Sequence, residues 1–365
     1  MSALIRDSLE ILRPHLHGPI FSDESVEKLF AAAAHFGDVS RLGFECRLDP
    51  KNDRVDFFQA ILQKEGEDRI FSEYLSRANG PAFDNEAWHR LKSYCADWTD
   101  PSSLIHDHID ELWLEYDLDD TLDSALPSLF IGISPSSFSA EKSPAIIETI
   151  VRRLHGAPLS EYVFKNLKSC FRSLPNGARL LHVGIMLSRT MDALRVNIQR
   201  IHADNILPFL ERIEWTGNSD ECAELISVGK ICCDDIRIDL DVGPVIYPQI
   251  GLEYFISDGP NVRDRWKHLL QRLIELGHCD EKKGQMLLDW PGHIGPPNVQ
   301  EKWPSALLLE SLTKKWNQFG VFARTLNHVK VNLNQDRRPE AKAYLGFLHS
   351  WVSPTPTQHD FRPST

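Results

Sequence analysis

One arrangement recurs five times along this chain: helical stretches of period 3.6, then two short runs of period two. The first helical stretches are expected at 3–16 and 24–36, and Ser22, Asp23 and Glu24 supply cap chemistry for the second. Two extended runs follow at 41–48 and 55–62, joined by the turn residues Asp49-Pro-Lys-Asn-Asp53. Helices at 66–77 and 85–98 then precede strands at 110–117 and 128–134, and helices at 144–155 and 159–173 precede strands at 179–187 and 193–200. Helices at 203–213 and 219–228 precede strands at 236–242 and 249–256. Helices at 262–277, 280–288 and 305–318 precede strands at 327–333 and 340–348.

The connections within each pair are short, so the pairs read as antiparallel hairpins. In the run 110–117, Trp113, Glu115 and Asp117 interleave with Leu112, Leu114 and Tyr116. Such alternation suits a sheet with helices on one face and polar side chains on the other. Ten antiparallel strands covered on one face leave two open edges, and closure removes both. The expected fold class is α+β: a ten-stranded antiparallel β-barrel of five repeated strand pairs, surrounded by helices, with a polar, solvated or ligand-filled lumen. It is expected to occupy 1–352 as a single domain. Residues 353–365, rich in Pro, Thr and Ser, read as a disordered tail.

Composition narrows the function classes. Forty Lys and Arg stand against fifty-two Asp and Glu, a net charge of −12, so the chain lacks a general nucleic-acid footprint. The N-terminal stretch is amphipathic and carries Asp7 and Glu10, unlike a secretory leader, and no run is long enough to span a membrane. The seven cysteines include no C-x-x-C pair and read as buried small hydrophobes of a reduced compartment. A cytoplasmic protein with small-molecule or peptide partners, and neither nucleic acid nor membrane, is the expectation.

Five helix-flanked antiparallel strand pairs resemble the barrel of the ABBA-type aromatic prenyltransferases. Two segments add to this likeness. Gly43-Phe-Glu45-Cys-Arg47-Leu on the first strand is similar to the segment in which indole-prenylating members carry a glutamate that holds the aromatic acceptor. Glu340-Ala-Lys342-Ala-Tyr344-Leu on the last strand is similar to their repeated K-x-Y pattern, whose Lys and Tyr hold the diphosphate. The resemblance implies transfer of an allylic group from an isoprenoid diphosphate to an aromatic or peptide acceptor. It implies Glu45 as the catalytic carboxylate, and Arg47, Arg195, Lys330, Lys342 and Tyr344 as the diphosphate-binding set. Cationic and phenolic donors stabilise the charge that develops on a departing diphosphate. No cofactor is then required, although Mg²⁺ is possible.

The chain departs from that pattern in two ways. K-x-Y occurs on one strand only, and the middle strands carry acid: Glu115, Asp117, Asp239, Asp241 and Glu253. Glu115 and Asp117 share a face by period two, as do Asp239 and Asp241. If those faces point inward, the lumen suits a cationic substrate, a peptide or a metal-bridged phosphate. Trp113 and Tyr254 are the expected lumen aromatics.

Two other readings stay open. Asp117-Leu-Asp119-Asp120-Thr121 resembles the D-x-D-x-T segment of haloacid-dehalogenase-type phosphatases, which would make the chain a Mg²⁺-dependent phosphoryl-transfer enzyme using Asp117 and Asp119. The same letters also read as a polar hairpin turn. Alternatively the barrel is a non-catalytic peptide-binding module. His106-Asp-His108 offers two of the ligands a metal site would need, and also reads as a solvated loop.

Overall fold

The period-two runs form one sheet that closes on itself. The structure is a computed structural model describing residues 5–33, 37, 39, 41–80, 83–118, 126–187, 193–298, 303–314, 318–335 and 337–353. The strands are β1 (Arg41–Arg47), β2 (Val55–Leu62), β3 (Ile109–Tyr116), β4 (Ser128–Ile133), β5 (Arg179–Met186) and β6 (Leu194–Gln199). They continue with β7 (Asp235–Val242), β8 (Ile246–Phe255), β9 (Gly292–Ile294), β10 (Phe319–Asn334) and β11 (Arg337–Val352). Each of β1 to β7 pairs with the next, β8 pairs with β10, β10 with β11, and β11 with β1. Every described pairing is antiparallel. Ten strands therefore make the expected closed barrel, and β9 is a short addition to β10.

The helices wrap the outside. They are α1 (Ile5–Leu12), α2 (Asp23–Ala32), α3 (Glu67–Arg77), α4 (Glu86–Thr99), α5 (Ser143–His155), α6 (Glu161–Arg172), α7 (Ile206–Arg212), α8 (Ser219–Cys232), α9 (Val262–Glu275), α10 (Glu281–Asp289) and α11 (Ser305–Ser311). Side-chain oxygens start several of them: Ser22, Asn85, Ser160, Asn218 and Asp280 each accept a first-turn backbone N–H. None of the described helices is long and apolar enough to cross a membrane.

Strand parity separates a dry shell from the lumen. On β1, Leu42, Phe44 and Cys46 face the helices, where Phe44 packs edge-on against Phe21 with ring centroids 5.3 Å apart. Gly43, Glu45 and Arg47 face inward. Trp98 of α4 donates its indole N–H to the Ile109 carbonyl at 2.9 Å and fastens the helical layer to β3. Tyr254 belongs to this outer shell rather than to the lumen, a correction to the sequence expectation. Its hydroxyl donates to the Leu225 carbonyl of α8 at 3.1 Å, and its ring lies against Gly229. Successive strand residues face opposite ways, so Glu253 and Tyr254 cannot both line the lumen.

The turns within strand pairs gather at one end of the barrel, and the helical connections at the other. Lys283 of α10 fixes the first turn by donating to the carbonyls of Arg47 at 3.0 Å, Asp49 at 2.8 Å and Asn52 at 2.5 Å. β10 and β11, at 16 residues each, are longer than expected. Their extra length forms a ribbon past the helix end, where Phe322 stacks on Phe347 at 5.0 Å and packs on Trp303 at 5.3 Å. Residues 290–297 contribute β9 to this ribbon, with Ile294 opposite Phe322. His106–His108 form a 3₁₀ turn in which His106 Nδ1 lies 2.7 Å from the Trp98 carbonyl and His108 Nδ1 lies 2.8 Å from Ser137 Oγ. Among the described residues no group of three or more His, Cys, Asp or Glu is placed to hold a metal ion. The expected tail lies outside the described residues from 354 onward.

Candidate active site in the barrel lumen

A polar cavity of about 490 Å³ opens at the hairpin end. Six basic side chains line it: Arg47, Arg54, Arg195, Lys330, Arg337 and Lys342. Six acidic ones face them: Glu45, Glu115, Asp117, Asp239, Asp241 and Glu340. Register explains the pairing. Arg195 lies directly across from Asp241 on β7, Glu45 across from Tyr344 on β11 and Asp56 on β2, and Lys330 across from Glu253 on β8.

Arg47 is held by Glu45, by Asp56 at 2.8 Å and by Glu340 at 3.2 Å. Lys342 Nζ reaches Glu45 Oε1 at 2.8 Å, and the Tyr344 hydroxyl donates to Glu45 Oε2. Arg195 meets Asp241 through two parallel bonds of 2.8 and 3.0 Å. Lys330 pairs with Asp239 and lies 3.5 Å from Glu253. Arg54 bridges Asp56 at 3.0 Å and Asp117 at 2.7 Å. Gly251 makes room for this cluster, since a Cβ there would lie 2.6 Å from Lys330 Cε.

Two carboxyls share the centre. Burial would raise the pKa of Glu45, but Lys342 and Arg47 outweigh it and hold the group well below the usual range. Burial and the ionised Glu45 beside it push Glu115 well above that range. Of the two, Glu115 is held towards its neutral form and Glu45 towards its carboxylate. Burial, with Glu45 adding to it, likewise raises Asp56.

An aromatic cavity of about 230 Å³ lies deeper, walled by Phe58, Trp113, Phe130, Phe255, His328 and Tyr344. His328 stacks on Tyr344 at 4.1 Å and on Phe255 at 4.6 Å, while Phe58 lies 5.5 Å from Trp113 and 6.0 Å from Tyr344. Gly43 lets Phe58 cross the lumen, because a Cβ at 43 would sit 2.1 Å from that ring. Glu115, Phe130, Asp239, Lys330 and Tyr344 border both cavities. Towards the helix end, His182 Nε2 meets Glu111 Oε1 at 2.7 Å. Beyond it a cleft of about 690 Å³, lined by Gln63, Arg69, His106 and Arg179, shares Glu111, Leu181 and Gln199 with the aromatic cavity.

The structure brings Glu45, Arg47, Arg195, Lys330, Lys342 and Tyr344 to the polar cavity, together with Glu115, Asp117, Asp239 and Asp241. Trp113 and Glu253 line the aromatic one. Sequence reasoning missed Arg54, Asp56, Asn197 and His328. Asp56 and Asn197 sit at inward positions of alternating strands, a signal that was available. Arg54 lies in a turn, and a register shift between Leu326 and His328 hides the inward parity of His328. The phosphatase-like reading needs Asp117 at the carboxyl edge of a parallel sheet. This sheet is antiparallel, Asp117 is held by Arg54, and Asp119 to Leu122 lie outside the described residues.

No protein-family model matches the sequence, and no curated protein shows significant sequence similarity to it. Solved structures do resemble it. The 5-dimethylallyltryptophan synthase of Streptomyces coelicolor superposes with a TM-score of 0.52 at 14% identity, over 94% of this chain and 97% of that one. The 6-dimethylallyltryptophan synthase of Micromonospora olivasterospora, in complex with DMASPP and Trp, gives 0.50 at 13% identity over 94% and 97%. The prenyltransferase PriB, in ternary complex with L-tryptophan and dimethylallyl thiolodiphosphate, gives 0.51 at 13% over 94% and 96%. The likeness is one of fold: the chain has the ten-stranded prenyltransferase barrel.

Proposed function

We propose that this chain is a barrel transferase that moves an allylic group from an isoprenoid diphosphate to an aromatic acceptor. One observation carries the reading: cations from β1, β6, β10 and β11 converge on one cavity that adjoins a second, aromatic one. The diphosphate lies among Arg47, Arg195, Lys330, Lys342 and Tyr344. As the allylic C–O bond breaks, its electron pair goes to the diphosphate, whose charge those donors stabilise. Faces of Phe58, Trp113 and Tyr344 shield the allylic cation. The acceptor ring supplies the electron pair of the new bond. The proton it loses passes to Glu115, whose own proton moves on to Glu45, so that Glu45 acts through the carboxyl that reaches both cavities.

A small free acceptor fits the aromatic cavity. An aromatic side chain within a peptide is the second reading, favoured by the cleft at the helix end, which leads to the same cavity and leaves room for backbone outside it.

The test is thermal unfolding with and without dimethylallyl diphosphate, in EDTA and then in Mg²⁺. A ligand that binds only the native state raises the midpoint by mass action. A rise in EDTA supports a diphosphate site built from protein side chains. A rise only in Mg²⁺ moves the phosphate contact to the carboxylates. No rise in either overturns the reading for this donor.

A further inference from the structure

The aromatic cavity is unbalanced in its hydrogen bonding. Asn197, only 5% exposed, lines it and spends both amide N–H groups on carboxylates, reaching Asp239 at 2.6 Å and Glu253 at 3.0 Å. Those two bonds fix the amide orientation, because carboxylates accept and cannot donate. The carbonyl oxygen of Asn197 is left buried without a donor. His328 lines the same cavity. Its Nδ1 lies 3.2 Å from Asn327 Oδ1, which places the ring proton there, and its buried Nε2 has no partner and lies 3.9 Å from Glu253 Oε1. Burial with Lys330 nearby holds the imidazole neutral.

Two acceptors without donors and a carboxylate thus surround one space. The cations at its border are engaged: Lys330 by Asp239 and Glu253, and Arg237 by Asp235 and by the Phe255 face, 3.6 Å from its centroid. Buried acceptors in native proteins are satisfied, and a ligand is one means of doing so. The occupant must bring donors, and an ammonium brings three. Aromatic faces favour a cation, whereas a carboxylate on the ligand would meet Glu253 and Asp239.

We infer that this cavity takes an arylalkylamine, with its ammonium against Asn197, His328 and Glu253 and its ring among Phe58, Trp113 and Tyr344, and that it discriminates against the matching aromatic amino acid. The inference deepens the transferase reading and rests on it for the fate of the ligand, but not for binding.

The experiment measures equilibrium binding by calorimetry on the full chain without donor, using tryptamine against tryptophan and phenethylamine against phenylalanine. Each amine is expected to bind at least ten-fold more tightly than its amino acid. His328→Phe keeps the stacked rings and removes Nε2, and is expected to weaken amine binding on the order of ten-fold. Asn197→Ala is expected to weaken it similarly, with the thermal midpoint of each variant reporting that it folds. Equal or tighter binding of the amino acids, no binding of either amine, or unchanged amine affinity in a folded His328→Phe overturns the inference. Amine binding without transfer when dimethylallyl diphosphate is added sinks the transferase reading and leaves this one standing. Preferential binding and prenylation of tryptophan does the reverse.

Discussion

Arg195 and Asp241 face one another directly across β6 and β7 and join through two parallel hydrogen bonds, with Asp241 almost wholly buried. Removing one member of such a pair strands the other. Arg195→Ala is expected to cost about 3 kcal/mol of stability, measured by urea unfolding. Combining it with Asp241→Asn should recover a large part of that loss, because the stranded charge is gone. A double variant no better than the sum of the singles would show that the pair does not couple.

Glu115 predicts an inverted pH response. Its folded-state pKa lies above the unfolded value of about 4.3, so its contribution to stability is present below that value and is lost as pH rises towards the folded pKa. Glu115→Gln keeps a hydrogen-bond donor to Glu45 and carries no proton to lose. The variant should gain on the parent protein as the pH rises above the unfolded value of about 4.3 towards the raised folded pKa. A stability difference that does not change with pH would remove the shared proton from the mechanism.

Asp56 tunes the cations. Burial and Glu45 raise its pKa, so on acidification it takes up a proton earlier than an ordinary aspartate and gives up one of the carboxylate contacts of Arg47 and of Arg54. Affinity for dimethylallyl diphosphate should therefore increase on acidification towards the raised pKa of Asp56. Asp56→Asn should hold the high affinity throughout, by roughly three- to ten-fold at pH 8, as expected for one neutralised charge near the site. Calorimetric titration at several pH values checks both, and an affinity that falls on acidification contradicts the assignment.

Gly251 predicts a separation of fold from binding. An added methyl group would press on Lys330 Cε and on Asn332 Oδ1, 3.0 Å away. Gly251→Ala should cost about 1–3 kcal/mol while abolishing the donor-induced rise in unfolding midpoint. A variant that retains the full rise would place the diphosphate away from Lys330.

Much of this was legible because period two is a local property. The alternation Leu112-Trp113-Leu114-Glu115 identifies both faces of β3 without knowledge of its neighbours. The same rule, applied strictly, excludes Tyr254 once Glu253 is placed inward. What residue order hides is register. β2 sets β1 and β3 in step, with Gly43 opposite Phe58 and Phe58 opposite Glu115, so that Glu115 lines up two residues along β1 from Glu45. Likewise the acidic middle strands read as a lumen suited to a cationic substrate, a peptide or a metal-bridged phosphate, whereas cross-strand pairing gives Asp241 and Glu253 basic partners. The long ribbon of β10 and β11 depends on β9 and Trp303, which lie well before it in the chain.

β1 pairs along its whole length with β11, from Arg41 opposite Leu348 to Arg47 opposite Lys342. During synthesis the first strand therefore waits for the last one before it can be covered. Until the ribosome has delivered β11, every growing intermediate carries two bare strand edges of the kind that recruit other chains. Contacts this remote in sequence also close slowly. The chain is thus one whose yield in a cell should respond to translation rate and to holdase chaperones more strongly than its final stability would suggest.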